Sequence, residues 1–212
     1  MGLRDRKKEQ TRRRIVDAAQ LLFGEHGFEK VTVAQVARAA EVAEATLFNY
    51  FPTKEDLFYS GLERFGARLV DAVRHRPPGE PALVAVRACL LGGGGQLARI
   101  ADGDRAALEQ ARTTARIVTA SRALRAREQQ VLTGIAADLA EVLAPDAGDD
   151  FVARAMAKAL MGVHGALVEY VRQRLLTDDH PETIVADLQR VGGRAFDLLE
   201  HGLADFAPAR PE

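Results

Sequence analysis

The segment EATLFNYF, residues 44–51, carries side chains that suit contact with a nucleic-acid groove. The side chains that helical spacing predicts to point away from the core are Thr46, Phe48, Asn49 and Tyr50. Asparagine can pair with adenine, threonine can touch a thymine methyl group, and a tyrosine hydroxyl can donate to phosphate. Val42, Leu47 and Phe51 are expected to face inward. Ordinary packing of the two outward aromatic rings is the alternative.

Two short helices must position this face. Thr32 and Gln35 form a capping box, which predicts a helix over about residues 33–39. Three residues separate it from a second short helix, 43–50, which Pro52 ends because proline disfavours helical geometry in the residue before it. This arrangement predicts a helix-turn-helix in which residues 43–50 form the recognition helix.

Longer helices flank the helix-turn-helix on both sides. The apolar residues of the helix before it recur at helical spacing and are Ile15, Ala18, Ala19, Leu22 and Phe23. Thr53 and Asp56 form a second capping pair, which predicts a helix that begins after Thr53 and lasts until the break at residues 75–79. Four helices are therefore expected in the first 75 residues.

Three blocks within residues 10–58 together resemble the TetR transcriptional regulators. The blocks are L-F-G-E-H-G-F, V-T-V-A-Q-V-A-R-A-A and T-L-F-N-Y-F-P-T-K-E-D-L-F. The resemblance implies that Thr46, Phe48, Asn49 and Tyr50 face DNA and that Thr32 and Lys54 contact phosphates. Lys54 also lies in the first turn of a helix, where free N–H groups and the helix dipole favour an anion.

Three residues depart from the pattern of that family. Glu41 stands where the turn usually has glycine, so a positive φ is expected at a residue that disfavours it. Ala43 stands where the recognition helix usually opens with serine or threonine, which removes an N-cap and a phosphate donor. Glu44 repels phosphate but can accept a hydrogen bond from cytosine N4. Ala43 and Glu44 are included among the expected DNA-contacting positions, and they affect the choice of operator more than binding itself.

Charge is balanced overall and uneven along the chain. The 212 residues include 29 Lys and Arg against 30 Asp and Glu, yet residues 1–14 carry a net charge of +5. Such a basic arm can lie along a nucleic-acid backbone, although a solvated tail can have the same composition. No stretch reaches the roughly 18 uninterrupted apolar residues of a membrane span, and no secretory signal is visible, so a cytoplasmic protein without membrane contact is expected. The lone Cys89 is expected to be a small buried residue.

The remaining sequence predicts an all-α protein. Further helices are expected at about residues 82–101, 104–119, 122–144, 149–177 and 181–203. The expected architecture is an N-terminal three-helix DNA-binding domain with the basic arm, residues 1–56, followed by a larger helical domain for effector binding and dimerisation, residues 57–212. Four glycines at positions 92–95 interrupt the helical pattern and predict a kink, a break or a close helix crossing.

A small-molecule pocket is the other expected site. His164 is a polar ring among small apolar neighbours, and Arg112 and Arg116 lie one turn apart on another helix, which suits recognition of an anionic or polar group. Phe65 is included in the same ligand-binding set. The alternatives are a histidine satisfied inside the fold and surface salt bridges for the arginines. The histidines show no metal-ligand spacing, and no phosphate loop or nucleophile pair occurs, so no metal, cofactor or catalytic residue is expected.

A homodimer is expected because one helix-turn-helix contacts too few base pairs for specific binding. The expected dimer surface consists of Ala155, Ala159, Gly162, Ala166, Tyr170, Leu188, Val191 and Ala195. Burial of these residues inside one chain is the alternative. The resemblance implies a repressor of a palindromic operator that an unknown small-molecule effector releases by moving the helix after Thr53. A non-inducible DNA-binding dimer with a filled core and a helical small-molecule enzyme are the alternative functions.

Overall fold

The computed structural model describes residues 2–92, 94–177 and 180–202. Within them the chain is all-α, as predicted, without strands. The helices are α1 (Leu3–His26), α2 (Val33–Ala39), α3 (Glu44–Tyr50), α4 (Lys54–Arg74), α5 (Ala82–Leu91), α6 (Gly95–Ala101), α7 (Arg105–Ala120), α8 (Arg122–Ala147), α9 (Asp150–Thr177) and α10 (Pro181–His201).

The chain divides into two compact units, and the first contains the helix-turn-helix. This unit consists of Met1–Phe65 and Arg112–Val131. Ile15 of α1, Leu47 of α3 and Phe51 after α3 are each no more than 1% exposed. These side chains form the core on which α2 and α3 are held at their turn.

The short helices α2 and α3 form where local sequence signals predict them. The N–H of Gln35 donates to the Thr32 hydroxyl at 3.2 Å, and the Gln35 side chain accepts the Thr32 N–H at 2.7 Å. α3 ends at Tyr50, two residues before Pro52. The predicted helix-turn-helix is therefore confirmed as a fold element.

α1 begins earlier than the sequence analysis expected. It starts at Leu3, so the basic residues predicted to precede the first helix lie inside its first turns, and the separate arm is wrong. Apolar periodicity begins only at Ile15, which is why the pattern did not reveal the earlier start. The extension contains mostly arginine, lysine and glutamine, which have high helix propensity.

The second unit consists of Gly66–Ala111 and Leu132–Glu212. Leu69, Leu139 and Phe196 are completely buried in its core. Within this unit α9 and α10 pack against each other, and α10 also packs against α5 and α6. The functional domains expected at residues 1–56 and 57–212 stay predictions.

The segment 82–101, predicted as one interrupted helix, forms two helices. α5 ends at Leu91 and α6 begins at Gly95, so the interruption is a break. Gly93 lies outside the described residues, as does position 203, the predicted end of the last helix. The other C-terminal helices begin and end within three residues of the predicted positions.

α9 is the one helix in the described part of the chain that is long and apolar enough to cross a membrane by length and composition alone. A single helix of this kind is weak evidence for a membrane span, because the core helix of a soluble protein meets the same criteria. The expected lack of membrane contact stays a prediction.

Candidate nucleic-acid interface

α3 turns its polar and aromatic side outward. Leu47 is fully buried, whereas Phe48 is 46% exposed. Asn49 is exposed, and Thr46 and Tyr50 are half-buried. The four expected outward positions therefore share an accessible face, and complete packing of Phe48 inside the single chain is excluded. Contact of this face with DNA stays a prediction.

A turn with unusual backbone geometry precedes α3. Glu41 has a φ of 51°, the only positive φ among the described non-glycine residues, as the sequence analysis predicted. Arg14 of α1 donates to the carbonyl oxygen of Ala40 and, at 3.3 Å, to that of Glu41. Its guanidinium also lies 3.5 Å from the Glu41 carboxylate. Arg14 therefore holds the turn, a role that its place in a basic stretch did not reveal.

The first turn of α3 carries a carboxylate and lacks a side-chain cap. Ala43 is the N-cap residue, and no side-chain hydrogen bond caps the helix, as predicted. Glu44 is exposed in the first turn, where its charge interacts favourably with the helix dipole. Both residues stay predicted DNA-contacting positions.

The two predicted phosphate ligands occupy different environments. Thr32 is exposed at the start of α2. The Lys54 ammonium instead turns back toward the loop after α1, where it donates to the carbonyl oxygens of Phe28 at 2.9 Å and Val31 at 3.1 Å. It also lies 4.2 Å from the centroid of the Phe28 ring. Two of its three N–H donors are thus used within the fold, and the predicted phosphate contact is left to the third.

Polar contacts within the first unit join the segment 112–131 to the loop before α2 and to α4. The Ser121 hydroxyl donates to a Glu29 carboxylate oxygen at 2.8 Å. The Arg127 guanidinium lies 2.7 Å from Asp56 and 3.0 Å from Glu63, both on α4. The sequence analysis missed these contacts because no local pattern links residues this far apart in the chain. They fix the first turns of α4, which follow the recognition helix directly.

The four residues expected to bind a ligand fall in different units. Phe65, Arg112 and Arg116 belong to the first unit, where Phe65 and Arg112 are half-buried and Arg116 is exposed. His164 lies on α9 in the second unit and is 9% exposed. Burial lowers the pKa of His164 to about 4, so the ring is neutral at pH 7 and offers no positive charge to an anion. The ligand-binding role of these residues stays a prediction.

The second unit has an open groove of about 1150 Å³. Its walls include Pro78, Leu143, Met156 and Leu199. Arg76 ties the connection between α4 and α5 in place, since it donates to the carbonyl oxygens of Val73 at 2.6 Å and Glu80 at 2.9 Å and pairs with Asp146. The four expected ligand-binding residues do not line this groove, so it is a separate feature.

The predicted dimer surface is mostly accessible in the single chain. Its exposed or half-buried residues are Ala155, Ala159, Gly162, Ala166, Tyr170, Val191 and Ala195. Met156, which also lies on α9, is 51% exposed. Leu188, by contrast, is 7% exposed and packs into its own unit, which is the alternative of burial inside one chain, and its place in a dimer surface stays a prediction. α9 and α10 already contact each other inside the chain, which explains this burial.

Two smaller expectations concern cysteine and metal. Cys89 is exposed, so the expectation that it is buried is wrong. It lies near the end of a short apolar helix, where composition alone does not decide which side is covered. Across residues 2–92, 94–177 and 180–202, no three His, Cys, Asp or Glu side chains come together in a way that could hold a metal ion.

Residues 15–60 match the protein family described as bacterial regulatory proteins, tetR family. The chain is 34% identical over 103 residues to the HTH-type transcriptional regulator TcmR of Streptomyces glaucescens, which covers 49% of the chain and 44% of TcmR. It is 40% identical over 76 residues to the HTH-type transcriptional repressor KstR of Rhodococcus jostii (strain RHA1), which covers 36% of the chain and 35% of KstR. The similarity thus spans less than half the length of these relatives.

The likeness to solved structures extends over nearly the whole chain. The fatty acid degradation regulator FadR from Bacillus halodurans aligns with a TM-score of 0.51 and 23% identity, covering 94% of this chain and 97% of that chain. At this level of identity the likeness shows the fold alone.

Proposed function

We propose that this chain is a transcriptional regulator of the TetR type that binds double-stranded DNA through α3, since residues 15–60 match that family and the chain is similar to HTH-type regulators such as TcmR. The proposal assigns no catalytic step, metal or cofactor to the chain. It predicts that the outward face of α3 enters the major groove and that the neighbouring basic and hydroxyl groups contact phosphates.

The observation that carries the proposal is the two-sided character of α3. Leu47 and Phe51 anchor the helix in the core, while Phe48 and Asn49 remain accessible beside it. An asparagine amide presents a donor and an acceptor together, which matches the edge of adenine. Exposure of a large aromatic ring beside it costs solvation free energy in the free protein, and docking into a groove removes that cost.

A homodimer on a palindromic operator is the second part of the proposal. One recognition helix contacts only a few base pairs, so useful specificity requires two half-sites read by two copies. The accessible small residues of α9, Gly162 and Ala166 among them, permit close approach of a second helix. Met156 adds apolar area to the same helix. These features favour α9 as the main dimer helix.

Release by a small-molecule effector is the third part. The two half-sites of an operator lie one or more turns of DNA apart, at about 34 Å per turn. A change of a few Å in the separation of the two recognition helices therefore prevents both from docking at once. The polar contacts of Arg127 with Asp56 and Glu63 join segment 112–131 to α4, which supports coupling between that segment and the recognition helix. The effector and its binding residues stay open to test.

Selection from a randomised duplex library of about 30 base pairs tests DNA binding, since this length accommodates two half-sites one turn apart. The enriched duplexes are expected to be palindromic and to bind the purified chain in fluorescence anisotropy. Asn49→Ala is expected to weaken binding by at least about 30-fold, because the dimer loses two bidentate base contacts of about 1 to 3 kcal/mol each. Gln20→Ala is the matched control, because Gln20 is an exposed amide on α1. Failure to enrich any sequence would contradict the proposal.

A thermal-shift screen separates an inducible regulator from a dimer with a filled core. An effector that binds only the folded chain raises its melting temperature. The same compound is then expected to lower affinity for the selected duplex. A compound that binds without changing DNA affinity, or a screen without any binder, would favour the non-inducible dimer.

A further inference from the structure

Cations recur along one side of the first three turns of α1. Arg4, Lys8 and Arg12 are four residues apart and form one row along about 12 Å of α1, which we name the basic row. The Arg12 guanidinium lies over the Phe51 ring, 4.5 Å from its centroid. Because Phe51 directly follows α3, the Arg12 end of the basic row lies beside the end of the recognition helix.

Arg14 provides a second contact between α1 and the region around α3. Arg14 donates to the carbonyl oxygens of the turn before α3, while Arg12 covers the residue after it. One stretch of α1 thus touches both ends of the recognition helix. Lys8 and Arg4 continue the row away from this stretch, and both are exposed. At 1.5 Å per residue, Lys8 lies about 6 Å and Arg4 about 12 Å from Arg12 along the axis of α1.

The acidic groups near the basic row are engaged elsewhere. Asp5 accepts the N–H of Gly2 at 3.0 Å, and Glu9 pairs with Arg13 at 3.2 Å. Arg4 and Lys8 have no ion pair within the residues that the structure describes. The helix dipole repels cations in the first turn of a helix, so the charge of Arg4 destabilises the start of α1 in the free protein. An external anion removes that repulsion.

We propose that Arg4 and Lys8 bind the phosphate backbone of DNA beside the half-site that α3 contacts. This inference rests on the proposed function and adds a second contact surface to it. Exposed cations of this kind neutralise phosphates and release counterions, which adds affinity without sequence preference. The continuous helix holds them in a fixed position, whereas a disordered arm would first have to be ordered on binding.

The test compares two double variants that lose the same charge from opposite sides of α1. Arg4→Gln/Lys8→Gln removes the exposed part of the basic row, and Arg6→Gln/Arg13→Gln removes two arginines from the other side. Affinity is measured between 50 and 200 mM salt for the selected palindrome and for a mixed-sequence duplex of equal length. Two lost phosphate contacts per copy are expected to reduce the slope of log affinity against log salt by about 3.6 for a dimer. Circular dichroism verifies that both variants retain the helical content of the unmodified chain.

The expected result is a reduced slope on both duplexes for the first variant, with the preference for the palindrome retained. The control variant is expected to keep most of the original slope. Equal slopes for the two variants, whether both reduced or both unchanged, would overturn the proposal while leaving DNA binding by α3 intact. Absence of DNA binding by the unmodified chain would overturn the proposed function as well, so the two failures are distinguishable.

Discussion

Acidification is expected to destabilise the folded chain through His164. Burial lowers the pKa of this residue from its ordinary value of 6.5 to about 4, so the unfolded chain takes up a proton at a higher pH than the folded chain does. The stability contributed by the neutral buried ring is fully present above pH 6.5 and is lost as the pH falls toward 4. Each pH unit within that window costs about 1.4 kcal/mol, which gives about 2 kcal/mol at pH 5 and about 3 kcal/mol at pH 4.

Urea denaturation of the unmodified chain and of His164→Gln at pH 7 and pH 5 measures this contribution. The difference in unfolding free energy between the two proteins should change by about 2 kcal/mol over that range, because the other titrating groups cancel in the comparison. His26→Gln is the control for replacing a histidine by glutamine at an exposed position on α1. A constant difference for His164→Gln would refute the reasoning and would mean that the ring titrates in the folded chain as it does in water.

Three further substitutions test contacts within each of the two units, each by urea denaturation. Gly66→Ala should destabilise the folded chain by about 1 to 3 kcal/mol, since the new Cβ would clash with the Ile135 side chain. Gly61→Ala, on the same helix, meets no atom within 4 Å and should stabilise the folded chain by up to about 1 kcal/mol. Equal effects of the two substitutions would contradict the close approach of α4 and Ile135. Glu41→Gly should stabilise by about 1 kcal/mol because glycine accepts the positive φ without strain, and a loss of stability would show that this turn is unstrained. Arg127→Met should destabilise the folded chain by about 1 to 2 kcal/mol because the carboxylates of Asp56 and Glu63 lose their partner. An unchanged urea midpoint of unfolding would show that these ion pairs do not stabilise the fold.

The parts of the fold that the sequence predicted well are those with local causes. The capping box of Thr32 and Gln35 and the stop imposed by Pro52 act within four residues, so α2 and α3 could be located without tertiary information. The positive φ of Glu41 could be expected because the turn type demands that geometry whichever residue occupies it. Helical spacing predicts the outward face of α3, because Leu47 and Phe51 identify the side of the helix that faces the core.

The parts that the sequence could not predict depend on distant residues. The Lys54 side chain turns toward carbonyl oxygens of the loop after α1, more than twenty residues earlier, and its position in a first turn suggested an anion instead. Arg127 contacts a carboxylate 64 residues earlier, which no periodic pattern encodes. Leu188 has the apolar spacing of an interface and of a core alike, and only the packing of α9 on α10 decides between them.

The most direct test of the central claim is a double-mutant cycle between Asn49 and adenine N7 in the selected duplex. Each adenine of one half-site is replaced in turn by 7-deazaadenine, which lacks the acceptor that the Asn49 amide requires in the major groove. One replacement is expected to weaken binding of the unmodified chain about 2- to 13-fold, the equivalent of about 0.5 to 1.5 kcal/mol for the one hydrogen bond that it removes, and to have little further effect on Asn49→Ala. If every replacement weakens both proteins equally, or weakens neither, α3 does not contact adenine through Asn49 and the assignment of the interface is wrong.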